Sequence, residues 1–241
     1  VTQLPGVPGT LDLWATGTLG HWITYNSMSL INKRVLITAG PTWVSLDSVR
    51  VISNIATGET GILLARQATK QGAKVTLLLG PVTDTSLAGL SKRIDLIRFR
   101  FFEELKNKVV RELRSKSYDL IIHCAAVSDF KPARQNRGKL DSGRSHNLRL
   151  VPLPKIITDI RRFARRAVLV IFKLEAGISD KALIERARSA LIASGGSIAV
   201  ANRLNPYRAY IIGRKNNIVP ANSKSELAKK LIRILDLRVN Y

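Results

Sequence analysis

Three short segments of this 241-residue sequence combine small, hydroxylated and charged residues in a way that suits an anionic substrate. The first is Thr38-Ala39-Gly40-Pro41-Thr42, followed by Asp47, Arg50 and the stretch Ile52-Ser53-Asn54-Ile55-Ala56-Thr57-Gly58. Residues of this kind ahead of a helix offer backbone N–H groups to a phosphate. Neither a G-x-G-x-x-G fingerprint nor a Gly-Lys-Ser/Thr phosphate loop is present, and a plain surface turn has the same composition. The second segment is Cys124-Ala125-Ala126-Val127-Ser128-Asp129-Phe130-Lys131-Pro132. Its paired alanines let a ligand come close to the backbone. Asp129 suits a ribose hydroxyl or Mg²⁺, and equally the capping of a turn. Beyond it, Arg134 to Arg149 is polar and Gly-containing, the composition of an active-site flap or of an unstructured loop. The third segment, Phe172-Lys173-Leu174-Glu175, sets a Lys and a Glu directly after an apolar run, as part of a site or as a surface ion pair.

Residues for other chemistries are few or badly spaced. His21, His123 and His146 share no ligand spacing with one another or with Cys124, so no zinc site is expected. The neighbours of Cys124 (Ile121, Ile122, Ala125) are apolar and make it a small core residue rather than a reactive thiol. A single cysteine excludes a disulfide framework and fits a reducing compartment. No run of ~18 apolar residues occurs, and the first thirty residues lack the basic start of a signal peptide. A cytoplasmic protein without membrane association is expected. The formal net charge of +22 attracts anions: nucleic acid, headgroups or phosphorylated metabolites. The charges are scattered through segments that also carry helical apolar periodicity, such as Lys106–Arg114 and Arg161–Arg166. They read as solvated helix faces in preference to a nucleic-acid interface.

The elements that must position these segments alternate along the chain. Short apolar runs at Arg34–Thr38, Lys74–Leu79, Ile94–Phe99, Asp119–Cys124, Ala167–Phe172 and Ser197–Ala201 read as strands. Gly58–Gln71, Phe102–Lys116, Pro154–Arg165, Asp180–Ser194 and Ser223–Leu237 read as helices. The last of these opens with Ser223 as N-cap and Glu226 completing a capping box. Tyr210–Val219 reads as a hairpin turning near Lys215-Asn216-Asn217. Strands alternating with helices predict an α/β fold with a doubly wound, mostly parallel, Rossmann-like sheet in one domain. In such a sheet, ligands sit beyond the carboxyl ends of the strands, where all three segments fall. Residues 1–27 differ from the rest: they hold no Lys or Arg, and the only methionine is Met28. They are expected to be an N-terminal extension upstream of a start at Met28, or else a short native arm, leaving 28–241 as the domain.

Taken together, the segments resemble the phosphopantothenoylcysteine synthetase family. The signature V-L-I-T-A-G-P-T and the D-P-V-R-x-I-S-N stretch stand here as Val35 to Gly61, and A-A-V-[AS]-D-[FY]-x-P as Ala125–Pro132. The flap motif K-[IL]-x-S is Lys139-Leu140-Asp141-Ser142, F-K-L-E is Phe172–Glu175, and the late V-A-N is Val200–Asn202. Two departures stand out. Where many members have S-S-G-K, this chain has Ala56-Thr57-Gly58-Glu59, and the Lys that other members carry before V-A-N falls at Ala190. The resemblance implies a ligase joining 4′-phosphopantothenate to cysteine through an acyl-nucleotide, with Mg²⁺ and with CTP favoured over ATP. It implies a homodimer. The flavin-dependent decarboxylase half of bifunctional members is not expected in this sequence, residues 1–27 being too short for it, so no flavin is expected and a separate decarboxylase is left open. By the same resemblance Lys139, Asn54 and Arg50 serve catalysis. Gly40, Ala125, Ala126, Asp129, Phe172 and Lys173 hold the nucleotide, and Asn54, Ala126 and Asn202 the substrate. Metal ligands are not identified. The alternative is a basic nucleic-acid-binding domain of the same fold without catalysis.

Overall fold

The apolar runs become the centre of an eight-stranded sheet in the computed structural model, which describes residues 30–83, 87, 90–215 and 217–239. The expectation about residues 1–27 and Met28, and Asn216 of the expected hairpin turn, lie outside the described residues. In chain order the strands are β1 (Arg34–Ala39), β2 (Trp43–Ser45), β3 (Val51–Ser53), β4 (Lys74–Leu79), β5 (Asp95–Arg98) and β6 (Leu120–His123). They continue as β7 (Phe130–Pro132), β8 (Leu150–Pro152), β9 (Val168–Leu174), β10 (Ile198–Arg203), β11 (Arg208–Gly213) and β12 (Ile218–Ala221). The helices are α1 (Glu59–Lys70), α2 (Phe102–Ser115), α3 (Ile156–Phe163), α4 (Asp180–Ala193) and α5 (Lys224–Val239).

The main sheet runs β12-β11-β10-β9-β6-β1-β4-β5. Every pairing from β10 to β5 is parallel, and β11 and β12 add an antiparallel hairpin at one edge. Alternation along each strand sends side chains to opposite faces. Val35 and Ile37 of β1 pack in one core with Leu64 of α1 and Leu231 of α5. Leu36 packs in a second core with Leu105 of α2, Ile160 of α3 and Leu183 of α4. Helices thus cover both faces, and the strands are apolar on both sides for that reason. The doubly wound sheet expected from the alternation is present.

The order along the sheet reverses beside β1: the chain leaves β1 for β4 and β5 on one side, then returns through β6 and β9 on the other. The crevice beyond the carboxyl ends of β1 and β6 is the switch point where doubly wound sheets take their ligands. Two ribbons stand outside the main sheet, β2–β3 and β7–β8. The sequence reading did not foresee them, because strands of three residues are too short to show an alternation. The capping box at α5 is also modified. The Ser223 hydroxyl accepts the Glu226 N–H at 3.1 Å, but the Glu226 carboxylate takes the N–H of Asn222 in place of that of Ser223.

Candidate active site

Gly40 ends β1 with φ +79°, a conformation that favours glycine. A Cβ there would lie 3.1 Å from the Gly80 nitrogen, so a glycine also lets the ends of β1 and β4 close together. The chain then runs across to β6: the Ala126 N–H donates to the Gly40 carbonyl at 2.9 Å, and the Thr42 N–H to the Ala126 carbonyl at 3.2 Å. Asn54 Nδ2 donates to the same Ala126 carbonyl at 2.9 Å. The Ala125 N–H donates to Thr38 Oγ1 at 3.3 Å. Both alanine amides that the resemblance assigns to a ligand are therefore engaged within the protein. What the two alanines leave open is close approach along their small side chains.

Hydroxyls brace the two loops. Thr42 Oγ1 accepts the Ser128 N–H at 2.9 Å, and the Ser53 hydroxyl donates to the Thr42 carbonyl at 3.2 Å. Thr38 Oγ1 lies 2.8 Å from His123 Nδ1 at matching positions of β1 and β6. Desolvation pushes the His123 imidazole down to about 4, so the ring is neutral near pH 7 and shares its hydrogen bond with the Thr38 hydroxyl in that form. Burial likewise raises the Cys124 thiol to about 12. A thiol that stays protonated is no nucleophile, in keeping with the reading of Cys124 as a core residue.

The segment from 134 to 149 leaves the end of β7 and returns into β8, with the Ala133 N–H on the Arg149 carbonyl at 2.8 Å. Lys139 stands exposed on this excursion. Its neighbour Leu140 is tied to the β1 loop: Arg50 Nη2 donates to the Leu140 carbonyl at 2.9 Å, and the Leu140 N–H donates to Asp47 Oδ2 at 3.0 Å. The hydrogen bond from Leu140 is the largest cause holding the Asp47 carboxyl below the ordinary carboxylate range. Asn54, Arg50, Gly40, Ala125, Ala126 and the flap beside Lys139 are thus tied together by hydrogen bonds at the carboxyl ends of β1 and β6.

Other expected site residues sit further along the sheet. Phe172 packs its ring against the α1–α5 core. Lys173, on β9, pairs with Glu175 at 3.1 Å, and Glu175 also takes Arg186 Nη1 at 2.9 Å. Asn202 faces Leu174 across β10 and β9, and its carbonyl accepts the Glu175 N–H. Asp129 forms an ion pair with Lys155 at the β7–β8 ribbon. Mg²⁺ is usually bound through substrate phosphates with one or two carboxylates. No three carboxylate, imidazole or thiolate groups gather among the described residues, and the lone Asp129 is already paired. The described residues do not form a Mg²⁺ cage of their own.

Glu59, the acid where a cation was expected, pairs with Lys224 of the α5 start. The N-cap residue of α1 is Gly58, which makes no side-chain cap, and Thr57 Oγ1 accepts the Glu59 N–H at 3.4 Å. The helix amino end carries the partial positive charge that favours anions. Two grooves of about 660 and 900 Å³ lie elsewhere, between α2 and α3 and under the amino ends of β1, β6 and β9. They are remote from the loops of the switch point. No described helix is long and apolar enough to cross a membrane.

Comparison with known proteins agrees with this fold. A protein from Thermococcus kodakarensis described as coenzyme A biosynthesis bifunctional protein CoaBC is 35% identical over 209 residues, covering 84% of this chain and 51% of its own length. The chain spans about half the length of the curated relatives it matches. The crystal structure of the DNA/pantothenate metabolism flavoprotein from Streptococcus pneumoniae superposes with TM-score 0.75 at 22% identity, over 86% of this chain and 99% of that one. A Cab2 H337A mutant in complex with phosphopantothenate-cysteine gives TM-score 0.72 at 19% identity, over 87% of this chain and 88% of that one. At those identities the two structures establish the fold alone. The profile of the DNA/pantothenate metabolism flavoprotein C-terminal domain matches residues 30–236, and the chain belongs to that family.

Proposed function

We propose that this domain ligates 4′-phosphopantothenate to cysteine in coenzyme A biosynthesis. The observation that carries the reading is the gathering of Asn54, Arg50 and the Lys139 flap over the β1–β6 switch point. The curated relative's role in coenzyme A biosynthesis, and the ligand held by the Cab2 structure, support it.

A carboxylate does not form an amide in neutral water, since hydroxide is a poor leaving group. In the proposed reaction the 4′-phosphopantothenate carboxylate attacks the α-phosphate of a nucleoside triphosphate and pyrophosphate departs. The cysteine amine then attacks the acyl-phosphate carbonyl, loses a proton, and expels the nucleoside monophosphate. Both steps concentrate negative charge, so the protein's part is to position donors and cations, with no covalent nucleophile. Lys139, exposed on the flap, supplies a cation to the α-phosphate. Asn54, whose Nδ2 retains a second proton, orients the acyl-phosphate. Gly40 and the two alanines admit the nucleotide close to the backbone, with Asp129, Phe172 and Lys173 on its far side and Asn202 behind. We assign CTP as the preferred nucleotide over ATP, with Mg²⁺ arriving on the triphosphate. The ligation itself calls for no flavin.

We further infer a homodimer. Six of the eleven exposed large apolar residues among those described lie on or beside the two small ribbons: Val49, Val51, Ile55, Phe130, Leu148 and Leu150. The two ribbons are neighbours through β2 and β7, and apolar exposure concentrated there suits an association surface. Pyrophosphate release measured with CTP and with ATP, each with and without phosphopantothenate, tests the function. Release that does not depend on phosphopantothenate would refute it.

A further inference from the structure

Asp47 has a side chain with no exposed surface, yet it carries a carboxylate. A buried carboxylate is tolerated where donors surround it. Oδ1 accepts the Val49 N–H at 2.9 Å and the Arg50 N–H at 2.7 Å, which closes a tight turn within the β1 loop. Oδ2 accepts the Leu140 N–H at 3.0 Å and lies 3.6 Å from Arg50 Nε. The same guanidinium donates through Nη2 to the Leu140 carbonyl. Both backbone polar groups of one flap residue, Leu140, are therefore clamped by two side chains 93 and 90 positions earlier.

The other hydrogen bonds and ion pairs of the flap run within it. The Gly143 N–H and Arg144 go to the Asp141 carboxylate, and His146 Nε2 meets the Asp141 carbonyl. Among the described residues, the Leu140 clamp is the one polar attachment of residues 134–148 to the body of the domain. It falls on the neighbour of Lys139. An exposed lysine on an otherwise unattached segment is free to occupy many positions, and each one away from the reacting phosphate lowers the rate.

We propose that Asp47 and Arg50 are positioning residues, a latch that holds the Leu140 peptide and thereby sets where Lys139 stands over the switch-point crevice. This rests on the assignment of Lys139 as the cation of the proposed ligation. It gives Arg50 a different part from contact with substrate: its guanidinium is committed to the flap backbone and to Asp47. The arrangement also explains why the carboxylate is an Asp. Its short side chain closes the local turn with one oxygen and reaches the flap with the other.

Two variants break the latch from opposite sides. Asp47→Asn removes the charge at nearly constant volume, and Leu140→Pro removes the amide hydrogen from the flap side without touching the body. Limited trypsin digestion reads flap attachment through cleavage at Arg137 and Arg144, and cysteine-dependent nucleoside monophosphate formation gives kcat and KM. Both variants are expected to speed flap cleavage and to lower kcat by roughly 10²-fold, the scale of a ~1 Å misplacement, with little change in the KM for cysteine. Lys139→Ala is expected to lose activity while Arg137 and Arg144 are cut at the wild-type rate. If both latch variants keep wild-type cleavage and kcat while Lys139→Ala is inactive, the latch is refuted and the lysine's role stands. If they speed cleavage but Lys139→Ala is fully active, the lysine's assignment falls and the positioning role with it.

Discussion

Gly61→Ala separates helix propensity from packing at the point where α1 meets the site. Gly61 is the third residue of α1, and a Cβ there would lie 2.3 Å from Ala39 Cβ, 1.1 Å short of the 3.4 Å at which ordinary contact begins. Ala39 is the last residue of β1, so its Cβ is fixed by the strand backbone and cannot swing aside. Replacing a helical Gly by Ala would gain up to about 1 kcal/mol if space allowed. Forcing extra volume into a packed core costs about 1–3 kcal/mol, and a clash between two backbone-anchored atoms belongs at the upper end. The net effect is a loss of about 1–2 kcal/mol, which for a domain of this size lowers Tm by roughly 2–8 °C. Because α1 must move off β1 by about the missing ångström, its amino end also shifts relative to Gly40, and kcat should fall with stability. Thermal melts of Gly61→Ala, Ala39→Gly and the double variant provide the test. The double variant removes the colliding methyl, so it should be more stable than the sum of the single effects predicts. A Gly61→Ala protein that melts at or above wild type, or strictly additive effects, would refute the packing argument.

Lys139→Ala should lower ligase turnover by about 10²–10³-fold, the scale of losing one group that stabilises developing charge; Lys139→Arg should restore only part, since a planar fork does not replace a compact ammonium. The melt should stay within about 0.5 kcal/mol of wild type for this exposed residue, and more than a tenth of wild-type turnover in the alanine variant would count against the assignment. Tyr118 donates its hydroxyl proton to the nearly buried Glu112 carboxylate at 2.6 Å. Tyr118→Phe removes a charge-assisted bond of about 1.5–3 kcal/mol, and an unchanged chemical denaturation midpoint would contradict that. The His123 imidazole ionises at about 4 in the fold against 6.5 when unperturbed, so the unfolded chain binds the extra proton in between. Its contribution is complete above pH ~6.5 and is lost as pH falls toward ~4. His123→Gln should flatten that part of the stability profile, and an identical pH slope in the variant would show that another group is responsible. At matched concentrations CTP should support faster pyrophosphate release than ATP, and the reverse order would overturn the nucleotide assignment.

The parts of this molecule that were legible in the sequence are those written in local pattern. Lys74–Leu79 matches β4 at both ends, because a strand buried on both faces must be continuously apolar and Gly80 and Pro81 stop it. The amphipathic helices and the loops after β1 and β6 were placed for the same reason. What the pattern did not carry were contacts between distant residues. The committed amides of Ala125 and Ala126 follow from the parallel approach of Pro41 to Ala126, which no local motif announces. The Thr38–His123 pair depends on the β1–β6 register, 85 positions apart. Spacing in the sequence bears on His123 only as a metal ligand, while its apolar neighbours are the available sign of a neutral, buried ring. Asp47 was visible in the sequence as an acid near the first loop, but only the fold brings Leu140 to it.

Glu59 shows how such distant pairing changes the meaning of a single substitution. Read along the chain, the acid at position 59 stands in the first turn of α1 where many family members carry a cation, and so exchanges a positive charge for a negative one. In the fold, Lys224 approaches from the first residue of α5 and meets that carboxylate. The two charges cancel locally. The α1 amino end keeps its partial positive charge. Lys224 is also the nearby charge that acts against the rise of the Cys124 pKa, so its field reaches the end of β6. The electrostatic change at this corner is therefore smaller than the sequence exchange implies. The amino end of α1 presents an ion pair, not a bare carboxylate. Family membership and the acid at position 59 are thus compatible, and the acid alone is no argument for a catalytically silent domain.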